Sequence, residues 1–116
     1  MKLTVRRRLL CPACGDVIGD AAYRRWPGSL VIRAAAGHDI TPIAAGLMRR
    51  MVEREVAEAS SPAAREAGTA RSRYVTDNIT DLIYDLRCPR GHSTLRSAPS
   101  IIRSMTAAHG EWAVIE

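Results

Sequence analysis

The feature of this sequence that most constrains its fold is a short cysteine-containing phrase that occurs twice. The first copy, Cys11-Pro12-Ala13-Cys14-Gly15, is typical of a tight turn that directs backbone N–H groups at two sulfurs. The second, Cys88-Pro89-Arg90-Gly91-His92, begins in the same way but has Gly91 where the second cysteine would stand. Because imidazole reaches farther than a thiol, His92 can supply the missing ligand. If it does, these two turns, the first and second knuckles, must meet around one metal ion.

The number and spacing of the cysteines favour a metal site over disulfides. The chain has three cysteines, and two of them form a C-x-x-C pair, which does not fit a secreted disulfide framework. The competing interpretation is a redox pair at Cys11 and Cys14 with Cys88 as a buried thiol, and the repeated C-P phrase argues against it. The fourth ligand stays open at this point, and the alternatives to His92 are His38, His109, Asp16 and Asp85.

Alternating apolar and polar residues predict short strands on both sides of each knuckle. Pro27-Gly28 is a favourable turn dipeptide, so a hairpin is expected around it. The predicted strands are Leu3–Leu10, Ala22–Trp26, Leu30–Ala34, Leu82–Arg87, Ser93–Arg96 and Trp112–Ile115, with a turn at Thr76–Asp81. The first strand leads directly into Cys11, and the strand that ends at Arg87 leads into Cys88.

A change to helical spacing predicts an amphipathic helix from Pro42 to Ala59. Thr41 can cap this helix, and proline is tolerated at its first position. Its predicted apolar face comprises Ile43, Leu47, Met51, Val52 and Val56, and Met48 and Met51 are expected to fill the core. Its charged face is expected to be solvated and comprises Arg49, Arg50, Glu53, Arg54 and Glu58.

Two further segments complete the pattern. The stretch Ser60-Ser61-Pro62 ends the long helix, and the alanine-rich residues Ala63–Arg73 are interrupted by Gly68. We expect a loose helical turn or a mobile excursion there. Pro99 opens a short helix that Gly110 ends. Strands and helices in this arrangement predict an α+β fold.

Length and composition limit the classes of protein to consider. At 116 residues the chain is expected to be a single domain, 1–116. No apolar stretch has the length of a membrane span or the form of a signal peptide, so a cytoplasmic protein is expected. The net charge is +5, and arginine supplies all but one of the 17 basic residues, which favours acidic partners, above all nucleic acid.

The two knuckles and their flanking strands resemble the zinc-ribbon superfamily, in which two knuckles at the tips of β-hairpins clamp one zinc ion. The whole chain is also similar to small zinc-ribbon proteins of actinobacteria and their phages that share a strand ending in Y-D-L-R-C. The resemblance implies rubredoxin-like knuckles on antiparallel hairpins, a helical insertion at about residues 42–75 with an amphipathic helix, and a short C-terminal helix. It implies one structural Zn²⁺ held by Cys11, Cys14, Cys88 and His92. It further implies binding to nucleic acid or to an acidic protein surface such as transcription machinery.

These patterns predict a non-enzymatic binding protein. Four protein ligands leave a zinc ion no position for water or substrate, and the chain lacks the H-E-x-x-H and zinc-deaminase motifs. One alternative is a phage or host structural or adaptor protein that binds a protein partner through Pro42–Ala59, and a minor one is an HNH-like nuclease centre at Gly37-His38-Asp39. The predicted contacts are arginines near both knuckles, with Tyr23 or Trp26 available for stacking. They are Arg6, Arg7, Arg8, Arg24, Arg25, Arg87, Arg90 and Arg96.

Overall fold

The structure is a computed structural model that describes residues 4–26 and 28–116. Over these residues the fold is α+β, as predicted. The elements in chain order are β1 (Thr4–Leu10), β2 (Val17–Arg24), β3 (Ser29–Ala34), β4 (Asp39–Ile40), β5 (Ile43–Ala44), α1 (Ala45–Glu58), α2 (Pro62–Asp77), β6 (Leu82–Arg87), β7 (Ser93–Ser97), α3 (Ala98–Ala107) and β8 (Trp112–Val114). Leu3 and Pro27, which belong to a predicted strand and a predicted turn, lie outside the described residues.

Internal packing divides the chain into two compact units. The first contains the described residues up to Thr41 together with Tyr84–Glu116, and the second is Pro42–Ile83. The predicted helical insertion at about residues 42–75 falls within the second unit. The assignment of residues 1–116 to a single domain stays a prediction.

The first unit is organised around a five-stranded sheet with the order β4-β3-β2-β1-β8. Its strands pair antiparallel except for β8, which runs parallel to β1. As the alternation in β1 predicts, Leu9 is buried while Arg6 and Arg8 are exposed. Residues paired across strands share a face, so the register defines the solvent-exposed side of the sheet, which we call the outer face. It carries Arg6, Arg8, Asp20, Ala22, Arg24, Val31, Arg33, Asp39 and Trp112.

The opposite face of this sheet forms the hydrophobic core of the first unit. Helix α3 contacts β1, β7 and β8 on this side. The helix begins as predicted, because Ser97 accepts a hydrogen bond from the Ser100 N–H at 3.3 Å and Pro99 occupies the first turn. The core comprises Leu9, Cys11, Ile18, Ala21, Ile32, Tyr84, Leu86, Cys88, Ile101, Met105, Ala113 and Ile115.

The predicted hairpin is present, but its first strand begins earlier than expected. Strand β2 starts at Val17 rather than Ala22 and ends at Arg24, so Trp26 lies in the turn. A Cβ atom at Gly19 would lie 2.1 Å from the Arg33 carbonyl oxygen, so only glycine allows this close approach of β2 and β3. Glycine, aspartate and alanine are weak strand formers, which is why the sequence pattern misses residues 17–21.

In the second unit, the predicted start of the long helix is wrong. Ile43 and Ala44 form a short strand paired with Ile83 and Leu82 of β6. Helix α1 therefore starts at Ala45, without a side-chain cap. The Ala45 N–H donates to the Asp81 carbonyl oxygen at 3.2 Å, so this donor at the start of the helix has a partner without a side-chain cap.

The predicted apolar face of this helix is also partly wrong. The buried residues of α1 are Ala45, Met48 and Val52, whereas Leu47 is 52% exposed and Met51 47% exposed. Met48 fills the core as predicted and Met51 does not. The buried stripe of α1 shares Val52 with the predicted face but contains Ala45 and Met48 in place of Leu47 and Met51. The charged face is solvent-exposed, as predicted.

The residues predicted to be loose or mobile form a regular helix, α2, so that prediction is wrong. Ser61 caps α2 by accepting a hydrogen bond from the Ala64 N–H at 3.1 Å, and Pro62 occupies the first turn. Gly68 lies where α2 passes Val56, because a Cβ there would be 2.7 Å from Val56 Cγ2. The lack of a side chain at Gly68 therefore allows the two helices to pack closely. Within the described ranges, no helix combines the length and apolar character needed to cross a membrane.

Candidate metal centre

The first knuckle is a tight turn that follows β1. The Gly15 N–H donates to the Cys11 carbonyl oxygen at 2.8 Å, and the Cys11 N–H donates to the Asp16 carbonyl oxygen at 2.9 Å. Gly15 has φ +78°, in the left-handed region that favours glycine. The turn thereby brings Cys14 back beside Cys11, with their sulfurs within 4.8 Å of each other.

The second knuckle repeats this turn with one residue fewer. The Gly91 N–H donates to the Cys88 carbonyl oxygen at 2.9 Å, and the Cys88 N–H donates to the His92 carbonyl oxygen at 3.1 Å. Gly91 has φ +88° and is thus the equivalent of Gly15. Contrary to the sequence interpretation, Gly91 does not replace the second cysteine. That position is missing, and His92 occupies the place that Asp16 has in the first knuckle.

The four predicted ligands lie together. One ligand atom from each of Cys11, Cys14, Cys88 and His92 falls within 4.8 Å of all the others, and they could bind a metal ion. Cys14 Sγ lies 3.7 Å from Cys88 Sγ, and tetrahedral metal–sulfur bonds of about 2.3 Å place two sulfurs about 3.8 Å apart.

The histidine also meets the geometry of a tetrahedral site. His92 Nδ1 lies 3.4 Å from Cys88 Sγ and 3.9 Å from Cys11 Sγ. Tetrahedral bonds of about 2.3 Å to sulfur and 2.05 Å to nitrogen require about 3.6 Å. The three cysteines are free thiols. The donor set therefore fits a tetrahedral ion without rearrangement of the fold.

The centre has a buried side and an exposed side. Cys11 and Cys88 belong to the hydrophobic core, Cys14 is half-buried against it, and His92 is exposed. Two sulfurs are thus fixed by packing, while the imidazole covers the side that faces solvent.

Backbone donors and burial adjust the acidity of the thiols. Burial acts to raise the pKa of Cys88, but the N–H groups of His92 and Arg90, assisted by the side chains of Cys14 and His92, outweigh it and lower the pKa to about 6. At Cys14 the Asp16 N–H acts to lower the pKa, but burial and the neighbouring thiols prevail, so the pKa is raised. Cys88 is consequently predisposed to the thiolate form that binds metals.

The alternatives for the fourth ligand are engaged elsewhere or lie apart from the cluster. Asp16 Oδ2 pairs with Arg90 Nε at 2.9 Å, which joins the two knuckles. Asp85 pairs with Arg87 at 3.1 Å and accepts a hydrogen bond from Ser93 at 2.5 Å. His38 and His109 are exposed, and in the part of the chain that the structure describes they belong to no group of potential metal ligands.

The arginines predicted to contact a partner differ in their surroundings. Arg8 pairs with Asp20 at 3.6 Å, whereas Arg87 and Arg90 pair with the acids already described. Arg7 Nε donates to the Met105 carbonyl oxygen at 3.1 Å, and Arg96 Nη1 donates to that of Leu95 at 2.7 Å. These five guanidinium groups therefore have local structural partners.

The remaining three, Arg6, Arg24 and Arg25, are exposed. Among residues 4–26 and 28–116 no acidic side chain forms an ion pair with them. Trp26 follows Arg25 in the β2–β3 turn and is 76% exposed, whereas Tyr23 packs against the core. Contact between these eight arginines and a partner stays a prediction.

The sequence interpretation missed an aromatic contact on the outer face. Arg8 Cζ lies 5.3 Å from the centroid of the Trp112 ring, which is 49% exposed. The contact depends on the parallel pairing of β1 with β8, which places Arg8 opposite Trp112. No local sequence pattern predicts that pairing.

Comparison with known proteins gives no match to a family model, a curated protein or a solved structure.

Proposed function

We propose that this protein is a non-enzymatic, zinc-stabilised protein of the zinc-ribbon kind that binds nucleic acid. The observation that carries the binding proposal is the exposed group Arg24, Arg25 and Trp26 at one end of the β2–β3 hairpin. Guanidinium groups suit phosphates, and an exposed indole can stack on a base. The net charge of +5 favours the same class of partner.

Zinc is the proposed ion because three thiols and one imidazole are the donors of a closed structural zinc site. Cys11, Cys14, Cys88 and His92 would hold it. When bound, zinc would supply four bonds that tie the two knuckles together. The pair formed by Asp16 and Arg90 supports the same junction from outside.

The proposed absence of enzymatic activity follows from this ligand set. Four protein donors complete a tetrahedron, so no ligand position is left for water or substrate. His38 and Asp39, suggested above as a nuclease centre, belong to no cluster of potential metal ligands within the described residues. Asp39 instead pairs with Arg33 at 3.5 Å.

Salt-dependent binding to labelled DNA and RNA, measured by fluorescence anisotropy, tests the nucleic-acid proposal. The double variant Arg24→Gln/Arg25→Gln should reduce the slope of log affinity against log salt by about 1.4 for a single strand, because two phosphate contacts are lost. The double variant Arg50→Gln/Arg54→Gln changes the net charge equally on the exposed face of α1 and should leave affinity nearly unchanged. Absence of binding at low salt would contradict the proposal.

A second candidate is an adaptor that binds a protein partner. Leu47 and Met51 lie one helical turn apart on α1 and are about half exposed, which favours an interaction face. Stable co-purification of one protein partner that is lost in Leu47→Glu, together with failure to bind nucleic acid, would favour this function.

A further inference from the structure

We propose that the outer face of the five-stranded sheet binds single-stranded nucleic acid, with a base stacked on Trp112 and phosphates at Arg6 and Arg24. The proposal rests on the proposed function and adds both the surface and the class of nucleic acid. It also moves the main contact from the knuckles, where the sequence places it, to the sheet.

One row of side chains on this face is internally neutralised. Trp112, Arg8, Asp20, Arg33 and Asp39 lie opposite one another on successive strands. Arg8 pairs with Asp20 at 3.6 Å and Arg33 with Asp39 at 3.5 Å. The charges of this row are therefore paired within the sheet, and the exposed surface of the Trp112 ring is the part of the row that is available to a partner.

The adjoining row has the opposite character. Arg6 lies opposite Ala22, which lies opposite Val31, and Arg24 follows two residues beyond Ala22 on β2. Val31 is 58% exposed, and it lines a depression of about 540 Å³ together with Ala22, Arg6 and Arg33 and with the acidic residues Asp20 and Glu111. Ala22 and Val31 thus offer apolar contacts to bases. Arg6 and Arg24, which form no ion pair among the described residues, lie beside them on β1 and β2 and can bind the phosphates that join those bases.

Trp112 is arranged to stack on a base. The Arg8 guanidinium lies over its ring at 5.3 Å. Strand β8 is at the edge of the sheet, so among the described residues no further strand covers the side of Trp112 away from β1. A base stacked there would complete an arginine–indole–base arrangement, in which Arg8 holds the ring in position.

The dimensions of the face select a single strand over a duplex. Five strands spaced about 4.8 Å apart span about 19 Å, whereas the major groove of B-DNA is about 12 Å wide and admits a two-stranded ribbon. Because the sheet is too wide to enter the groove, a duplex would place its phosphate backbone against Val31 and Trp112. Neither side chain can bind a phosphate. A single strand exposes bases that can pack on both side chains.

Fluorescence anisotropy with short labelled oligo-dT and oligo-rU, beside a mixed-sequence duplex, tests the proposal. We expect tighter binding to the single strands and a loss of at least about 5-fold in Trp112→Ala, while Trp112→Tyr retains most of the affinity. Val31→Glu should weaken binding by a similar factor, because it places a negative charge in the depression. In Trp26→Phe, Trp112 is the remaining tryptophan, and its emission should be quenched on binding.

Matched controls separate the surface from general effects of charge. Leu47→Glu introduces the same charge at a similarly exposed apolar residue of α1 and should leave affinity unchanged. Circular dichroism and metal content identify a variant that fails to fold. If Trp112→Ala fails to fold, Val31→Glu and the quenching of Trp112 decide the outcome.

The possible results distinguish this inference from the proposed function. Equal or tighter binding to duplex, or single-strand binding that is unaffected by Val31→Glu and leaves Trp112 emission unchanged, would overturn the single-strand surface and leave nucleic-acid binding intact. Absence of binding to every probe at low salt would overturn both. If this face binds an acidic protein partner instead of nucleic acid, none of the probes should bind at low salt.

Discussion

The substitution His92→Ala is the most direct test of the metal centre. It removes the imidazole whose Nδ1 lies 3.4 Å from Cys88 Sγ. It retains the His92 carbonyl oxygen, which accepts the hydrogen bond from the Cys88 N–H that closes the knuckle. The turn should therefore persist, so loss of metal would report the ligand itself.

The size of the effect follows from the energy of a structural zinc site. Zinc binding supplies about 10–16 kcal/mol in small zinc-dependent domains, so one of four ligands accounts for about 2.5–4 kcal/mol. Because His92 is exposed, water can take its place, and we expect the lower end of this range. Zinc affinity should then fall roughly 100-fold.

Zinc competition against a chromophoric chelator, with metal analysis of the purified protein, measures this change. We expect one zinc per chain in the parent protein and a lower melting temperature for the variant in the presence of chelator. His38→Ala and His109→Ala, which alter exposed histidines apart from the cluster, should bind zinc like the parent. Unchanged affinity in His92→Ala would refute the assignment of the fourth ligand.

Two further predictions concern packing and the junction of the knuckles. Gly68→Ala should destabilise the protein by about 1 kcal/mol, because a methyl group 2.7 Å from Val56 Cγ2 outweighs the gain in helix propensity. Gly46→Ala, with no atom within 4 Å of its Cβ, lies in the first turn of α1 and should stabilise the protein by up to about 0.5 kcal/mol, and equal shifts in melting temperature would contradict this reasoning. Arg90→Gln should cost at most about 1 kcal/mol, because its pair with Asp16 is largely exposed, and the loss should shrink at high salt in urea unfolding.

The metal cluster could be predicted from sequence because its geometry is local. Each knuckle is fixed by a few residues, and Gly15 and Gly91 supply the left-handed turns that close them. What the sequence could not give was the alignment of the two turns. The backbone hydrogen bonds of the two knuckles show that His92 occupies the position of Asp16, whereas alignment of the two sequences places Gly91 opposite Cys14.

The helical segment was harder to predict, because packing decides which apolar residues are buried. Leu47 and Met51 have the same helical spacing as a core stripe, yet the neighbouring stripe, which contains Met48 and Val52, is the one that is buried. Gly68 signals helix interruption in sequence but allows close helix contact in the structure. Local helix propensity predicts neither which stripe of α1 is buried nor the close helix contact at Gly68.

The parallel pairing of β1 with β8 has a consequence for how the protein acquires its structure during synthesis. Cys11 and Cys14 leave the ribosome long before Cys88 and His92, and β1 must also wait for Trp112–Val114. The early half of the metal centre is then a lone pair of thiols beside an unpaired strand edge. Closing so long a loop is slow, so capture of a metal ion by the four proposed ligands would be a late event, and the two early thiols would need a reducing environment until His92 is synthesised.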